Sequence, residues 1–280
     1  MIKSARGRGP GAGVSLAWIT VRVVSTAMLL AIVAPDAMGQ SIAERVAAVN
    51  EGTVRISFNT RPDVCGRGSS IMHGEGSRTN WGSDRANRDL EWDAGCEYGP
   101  GRLVLQVRDR EIVGLRFYIG GRWRAAEAVT DLGMVSAKDA AEFLVSLAAT
   151  GTGRASREAI FPATLADSVV IWPRLVRIAR DEERPRATRE QAVFWLGQMA
   201  GEVATANLDS IVRDDGVNRE IREQAVFALS QRPSDEGVPA LIRVAKTNSD
   251  PEVRKKALFW LGQSGDKRAV DLFEELLGKP

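Results

Sequence analysis

Cys65 and Cys96 are the only cysteines of the 280-residue chain, and His73 is its only histidine. Two thiols could close a disulfide, hold a metal or work as a redox pair. There is no CxxC spacing, and one histidine with no further cysteine cluster leaves a zinc site incomplete. Any histidine-based triad would hang on a single glycine loop, His73-Gly74-Glu75-Gly76. Glu75, Asp84, Asp89, Glu91 and Asp93 lie in the same region, where an acid/base pair or a calcium site would draw on them. Their neighbours are polar and glycine-rich, so a solvated loop is the simpler reading. The G-x-S-x-G and P-loop signatures are missing. Gly66-Arg67-Gly68 and Gly99-Pro100-Gly101 do not join a strand to a helix, so they carry no dinucleotide signal. The expectation is a protein that is not an enzyme, with no catalytic residues, no metal and no cofactor. Chemistry confined to the 66–101 loop is the alternative.

Which reading of the thiols holds depends on the compartment. Lys3, Arg6 and Arg8 precede an apolar stretch from Val23 to Val33, and Ala37-Met38-Gly39 puts small residues before Gln40. That is the pattern of a secretory signal peptide over residues 1–39, cleaved before Gln40, for a periplasmic or secreted protein. Kept uncleaved, the leader would be an anchor and the only membrane contact, although the apolar run is short for a ~20-residue span. In an exported chain an even cysteine count favours a Cys65–Cys96 disulfide. Closing a loop of about 30 residues contributes roughly 3–4 kcal/mol in the chain-entropy model. The leader also carries Lys3, Arg6, Arg8 and Arg22 against Asp36, which leaves 34 basic and 35 acidic residues after it (38 less four, 36 less one). The basic excess sits in the discarded segment, and no basic stripe remains to suggest nucleic acid.

Residues 40–133 read as a small α+β module. Ser41-Ile42-Ala43-Glu44 is a capping box that starts a short helix with Ile42, Val46 and Val49 on one side. The period then changes to two. Val54, Ile56 and Phe58 alternate with Thr53, Arg55 and Ser57, a half-buried strand. Leu103, Leu105 and Val107, then Val113, Leu115, Phe117 and Ile119, flank Asp109-Arg110 as an antiparallel hairpin. Ser136-Ala137-Lys138-Asp139 caps a further helix, Ala140 to Ala149, placed to shield the open side of the segment after it.

The rest of the chain repeats one phrase. Gln191-Ala192-Val193-Phe194-Trp195-Leu196-Gly197-Gln198 returns at Gln224 to Gln231 and again at Lys256 to Gln263, after steps of 33 and 32 residues. A worn copy lies at Glu158-Ala159-Ile160-Phe161-Pro162-Ala163. Such a period signals stacked units that cannot bury their apolar faces alone. Leu175, Leu208, Leu241 and Leu272 track a second helix in each unit. Pro173 and Pro239 fit a first helical turn, where a missing N–H costs nothing. The last unit opens on Asp250-Pro251 and closes on Gly262, with Val253, Ala257, Trp260 and Leu261 on one face. From about residue 155 to the C-terminus the chain therefore reads as about four helical hairpins, residues 134–280 as the solenoid domain, and the fold class as mainly α, an α-solenoid preceded by a disulfide-linked α+β module.

Asp250-Pro251-x-Val253-Arg254-x-x-Ala257-x-x-x-Leu261-Gly262 resembles the HEAT repeat, in the short bacterial form named after phycobilisome lyases, over residues 155–280. The resemblance implies a solenoid used for protein binding or scaffolding. It also implies that Arg189, Arg222 and Arg254 tie neighbouring repeats through acids in the turns, at Asp214, Asp215 and Asp250. The turn at Glu182-Glu183-Arg184-Pro185 departs from that pattern. A bilin-lyase-like activity is a further form of the enzyme alternative.

Gln191, Phe194 and Gln198 fall at i, i+3 and i+7, on one helix face, and recur as Gln224, Phe227, Gln231 and as Lys256, Phe259, Gln263. The simpler account wedges each Phe between repeats and bonds each Gln to a turn backbone. The functional account is a glutamine-rimmed apolar strip for an extended peptide. The expectation is an exported scaffold that binds another protein or peptide. A structural homo-oligomer built through the C-terminal helix (Ala269, Leu272, Phe273, Leu276, Leu277) is a third reading.

Overall fold

The period-two runs become a four-stranded sheet that a helical stack continues. The computed structural model describes residues 40–73, 77–80, 89–93, 95–151, 153–199 and 201–278. The expected leader, Glu75 and Asp84 lie outside the described residues. Helix α1 (Ile42–Ala47) is capped by Ser41 and Glu44 in the reciprocal capping box. The strands are β1 (Gly52–Phe58), β2 (Cys65–Arg67), β3 (Ser70–His73), β4 (Ser77–Asn80), β5 (Leu90–Glu91), β6 (Glu97–Tyr98), β7 (Gly101–Arg108), β8 (Glu111–Ile119), β9 (Arg122–Trp123) and β10 (Val129–Val135).

The main sheet has the order β10-β1-β7-β8. β7 and β8 form the expected hairpin, and its two turn residues, Asp109 and Arg110, have φ of 52° and 64°. A bulge between Gln106 and Val107 pairs Val107 with Ile112 and shifts the register by one. A one-residue shift sends a side chain to the other face. Val113, expected inside, is therefore 47% exposed, and Ile112 packs on the core instead. β10 adds to β1 in parallel. Position 133/134, where the sequence separated module from solenoid, lies inside that strand.

The region 66–101 is more than a loop. β4-β3-β2-β6 form a second sheet, and Gly66 in β2 packs so closely on β8 that a Cβ would come within 2.8 Å of Ile119 Cβ. Cys65 and Cys96 are bridged, with Cα atoms 5.5 Å apart, which ties β2 to the segment entering β6. β5 pairs with β9 across the outer face of the main sheet. Leu90, Val104 and Tyr118 make a small core there with Trp92 and Trp123. Consequently β1 is buried on both faces, not one. Arg55 lies under this cover with its guanidinium 4.8 Å from the Trp123 ring centroid, and Ser57 accepts from Trp123 Nε1 at 3.3 Å. Asp89, expected to be solvated, is buried and accepts from Arg116 at 2.9 Å and from Tyr118 Oη at 3.1 Å. Burial and the Asp89 carboxylate push the Tyr118 hydroxyl up to about 12. Glu91 and Asp93 pair with Arg124 and Arg122.

The helices are α2 (Ala137–Thr150), α3 (Arg154–Glu158), α4 (Ile160–Thr164), α5 (Trp172–Arg180), α6 (Arg186–Gly197), α7 (Glu202–Val212), α8 (Arg219–Ser230), α9 (Ser234–Thr247), α10 (Pro251–Gln263) and α11 (Lys267–Leu277). They form four hairpins in two rows, with α6, α8 and α10 stacked on one another. Leu175, Leu208, Leu241 and Leu272 are all buried in the second row. The first hairpin is broken at Ala159 into α3 and α4, because Pro162 lacks the N–H that an unbroken helix would bond to Glu158. Pro239 is inside α9, which starts five residues earlier at Ser234, so the first-turn expectation fails there. α10 runs one residue past Gly262, to Gln263. Module and repeats share one hydrophobic core. From Gln40 onward, the described chain is α+β up to α2 and an α-solenoid after it. "Mainly α" describes only the second half.

Candidate functional site

The chain after β1 crosses to the first hairpin and bonds to it backbone to backbone. Arg61 N donates to Leu165 O and Asp167 N donates to Asn59 O, both at 3.0 Å. This seam leaves a cleft of about 340 Å³ between module and repeats. Arg61 and His73 come from the module. Leu165, Val169, Ile171, Trp195 and Met199 supply an apolar wall, and Thr164, Ser168 and Gln198 the remaining polar groups. Sequence reasoning discounted His73 as part of a glycine loop. In the structure its ring centroid is 5.6 Å from Phe161 and 6.3 Å from Trp195, and Nε2 is 2.8 Å from Thr79 Oγ1. Burial first, and the Arg61 guanidinium second, hold the His73 imidazole below its ordinary value, while Asp63 opposes them. Both effects favour the uncharged ring.

Phe161 and Trp195 stack at 4.5 Å and begin an aromatic ladder that leaves the cleft along α6, α8 and α10. Phe194 meets Trp195 edge-on at 5.0 Å, Phe227 meets Trp260 of the next repeat at 5.0 Å, and Phe259 meets Trp260 at 5.1 Å. Burial varies along it. Phe161 is fully buried and Phe227 half-buried, but Phe194 is 37% and Phe259 55% exposed. Phe161 is thus enclosed between repeats, Phe194 and Phe227 are partly covered, and Phe259 is mostly exposed. Gln198, Gln231 and Gln263 are exposed, Gln191 and Gln224 half-buried. Gln231 donates to the adjacent Ser230 Oγ at 3.1 Å, and among the described residues none of the five bonds a turn backbone. The tryptophans join the rings of the ladder to one another. Trp195 and Trp260 occupy the position that holds Ala228 in the middle repeat, where α6 lies so close that a Cβ on Gly197 would reach Ala228 Cβ at 3.0 Å.

Repeats are held together by arginines. Arg222 pairs with Asp215 and with Asp250, both at 3.0 Å, as the resemblance implied. Arg254 instead donates to the backbone carbonyls of Asn248 and Ser249. Arg189 is buried, and its Nε and Nη1 have no partner among the described residues. Arg232, in the α8–α9 turn, reaches back to the carbonyls of Gly197, Met199 and Gly201 and so fixes the end of α6 that carries Gln198 and Met199. Among the described residues no group of three or more His, Cys, Asp or Glu side chains is placed to hold a metal, and no helix is long and apolar enough to cross a membrane.

No curated protein matches this chain. The family model described as HEAT repeats matches residues 215–280, the last turn-and-hairpin units of the stack. With the two-row packing and the Arg222–Asp250 tie, residues 215–280 belong to the HEAT repeats.

Proposed function

We propose that the protein is an exported, non-catalytic scaffold that binds an extended segment of another protein along the ladder of α6, α8 and α10. HEAT repeats are helical scaffolds for protein interaction. A solenoid spreads contacts over several repeats without a deep pocket. The observation that carries the reading is the exposure of Phe194 and Phe259 beside Gln198, Gln231 and Gln263. A contiguous exposed apolar strip marks an interaction surface, and rings with adaptable amides suit peptide recognition. Export is supported by the Cys65–Cys96 bridge, which persists in oxidising compartments. A photo-crosslinking residue at Gln198 or Gln263 captures the partner on this reading. The same residue at Val203, exposed on α7, does not. Equal capture at all three positions contradicts it.

A second reading, self-association, is favoured by α11, where Val270 is 51%, Leu276 44% and Leu277 86% exposed. Sedimentation of wild type against Leu277→Ser separates it from the first.

A further inference from the structure

The cleft at the seam differs chemically from the ladder it adjoins. Among the described residues that line it Arg61 is the one permanent charge, with no Asp or Glu beside it, and burial and Arg61 both disfavour a charge on His73. Arg61 turns Nε and Nη2 toward Asp63 at 3.3 Å each. A guanidinium has five N–H donors in a planar fork, so Nη1 still offers two. The exposed Gln198 amide offers more. Ile171, Trp195 and Met199 line the same cleft with apolar surface. The volume of about 340 Å³ is at the small end of ligand pockets, which run from roughly 300 to 1,000 Å³.

We infer that this cleft binds a carboxylate attached directly to an apolar body, and specifically the carboxy-terminal residue of the peptide that lies on the ladder. A terminal residue presents its carboxylate and its side chain from the same carbon. It can therefore meet Arg61 and Gln198 while its side chain fills the apolar wall. An internal Asp or Glu spends its side chain on the carboxylate and leaves that wall empty. Capture of a chain terminus by fixed donors is a recurrent peptide-recognition mode. The terminus, rather than a free small acid, is the occupant because the cleft shares Trp195 with the first rung of the ladder. A peptide ending in the cleft lays its preceding residues on Phe194. This assignment rests on the peptide-binding reading above.

The test uses the whole protein and synthetic ten-residue peptides ending in Phe, Leu or Val, each as free acid and as carboxamide. Such a peptide extends to about 33 Å, enough to pass three helices spaced roughly 8–10 Å apart. The free acid is expected to bind at least about tenfold tighter than its amide, a difference of ~1.4 kcal/mol. Arg61→Met brings the ratio close to one, and Arg61→Lys keeps part of it. Phenylpropionate competes weakly. Equal binding of acid and amide, a ratio unaffected by Arg61→Met, or no binding of any acid peptide overturns the inference. Phenylpropionate that binds as tightly as the peptide reassigns the cleft to free acids and overturns the terminus. Phe259→Ser separates the two claims. If it weakens acid and amide alike while the ratio is one, the cleft assignment fails alone. If it changes nothing while the ratio holds, the ladder reading fails alone.

Discussion

Asp250 accepts from Arg222 Nη2 at 3.0 Å with one carboxylate oxygen and caps α10 with the other, through Glu252 N–H at 3.0 Å. One side chain thus starts a helix and ties it to the repeat before. Arg219 also donates to it, and that bond, first among several causes, holds its carboxyl below the ordinary range. One repeat earlier the same position is Asn218, which caps α8 through Glu220 N–H at 2.9 Å but carries no charge, and there Arg189 is left with unpartnered nitrogens.

Asn218→Asp should supply the missing counter-ion. Aspartate caps helices as well as asparagine does, so the cap survives. A buried guanidinium gains a charge-assisted bond. The melting temperature is expected to rise by about 2–4 °C, the shift that 1 kcal/mol gives in a chain of this size. A fall, measured by scanning calorimetry, would show that Arg189 has no need of a carboxylate.

The repeat register was legible because apolar residues recur at helical spacing and the phrase itself recurs. The turn ties were legible only in part. Arg222 has its acids, whereas Arg254 found backbone carbonyls that no side-chain pattern announces. The second sheet and the outer face of the module were not legible. Asp89 is buried only because Arg116 and Tyr118, from a distant strand, come to meet it. A polar, glycine-rich stretch gives no local sign of that. His73 escaped for the same reason, since its packing partners Phe161 and Trp195 belong to the repeats.

Replacing both Cys65 and Cys96 by Ser should lower stability by about 3–4 kcal/mol, because the bridge closes a loop across 31 positions. Urea denaturation measures this. An unchanged midpoint would mean that β2 and β6 are held by their pairing alone.

The His73 imidazole is held below its ordinary value of 6.5 by burial and Arg61. The folded protein therefore takes up the proton less readily than the unfolded chain. This contribution to stability is complete above 6.5, declines as pH falls past it, and is gone once the folded imidazole protonates too. The drop in melting temperature from about pH 8 to about pH 5 should be smaller in His73→Gln than in wild type. An equal drop in both proteins would remove His73 from the acid sensitivity.

On the peptide-binding reading the exposed rings of the ladder bind and do not build. It is tested most directly by the Phe194→Ser/Phe259→Ser double variant, with melting temperature and selection from a displayed library of extended peptides measured on the same preparation. The expected result is a melting temperature close to wild type and the loss of the apolar sequences that wild type enriches. A variant that melts far below wild type, or that enriches the same sequences as wild type, would contradict it.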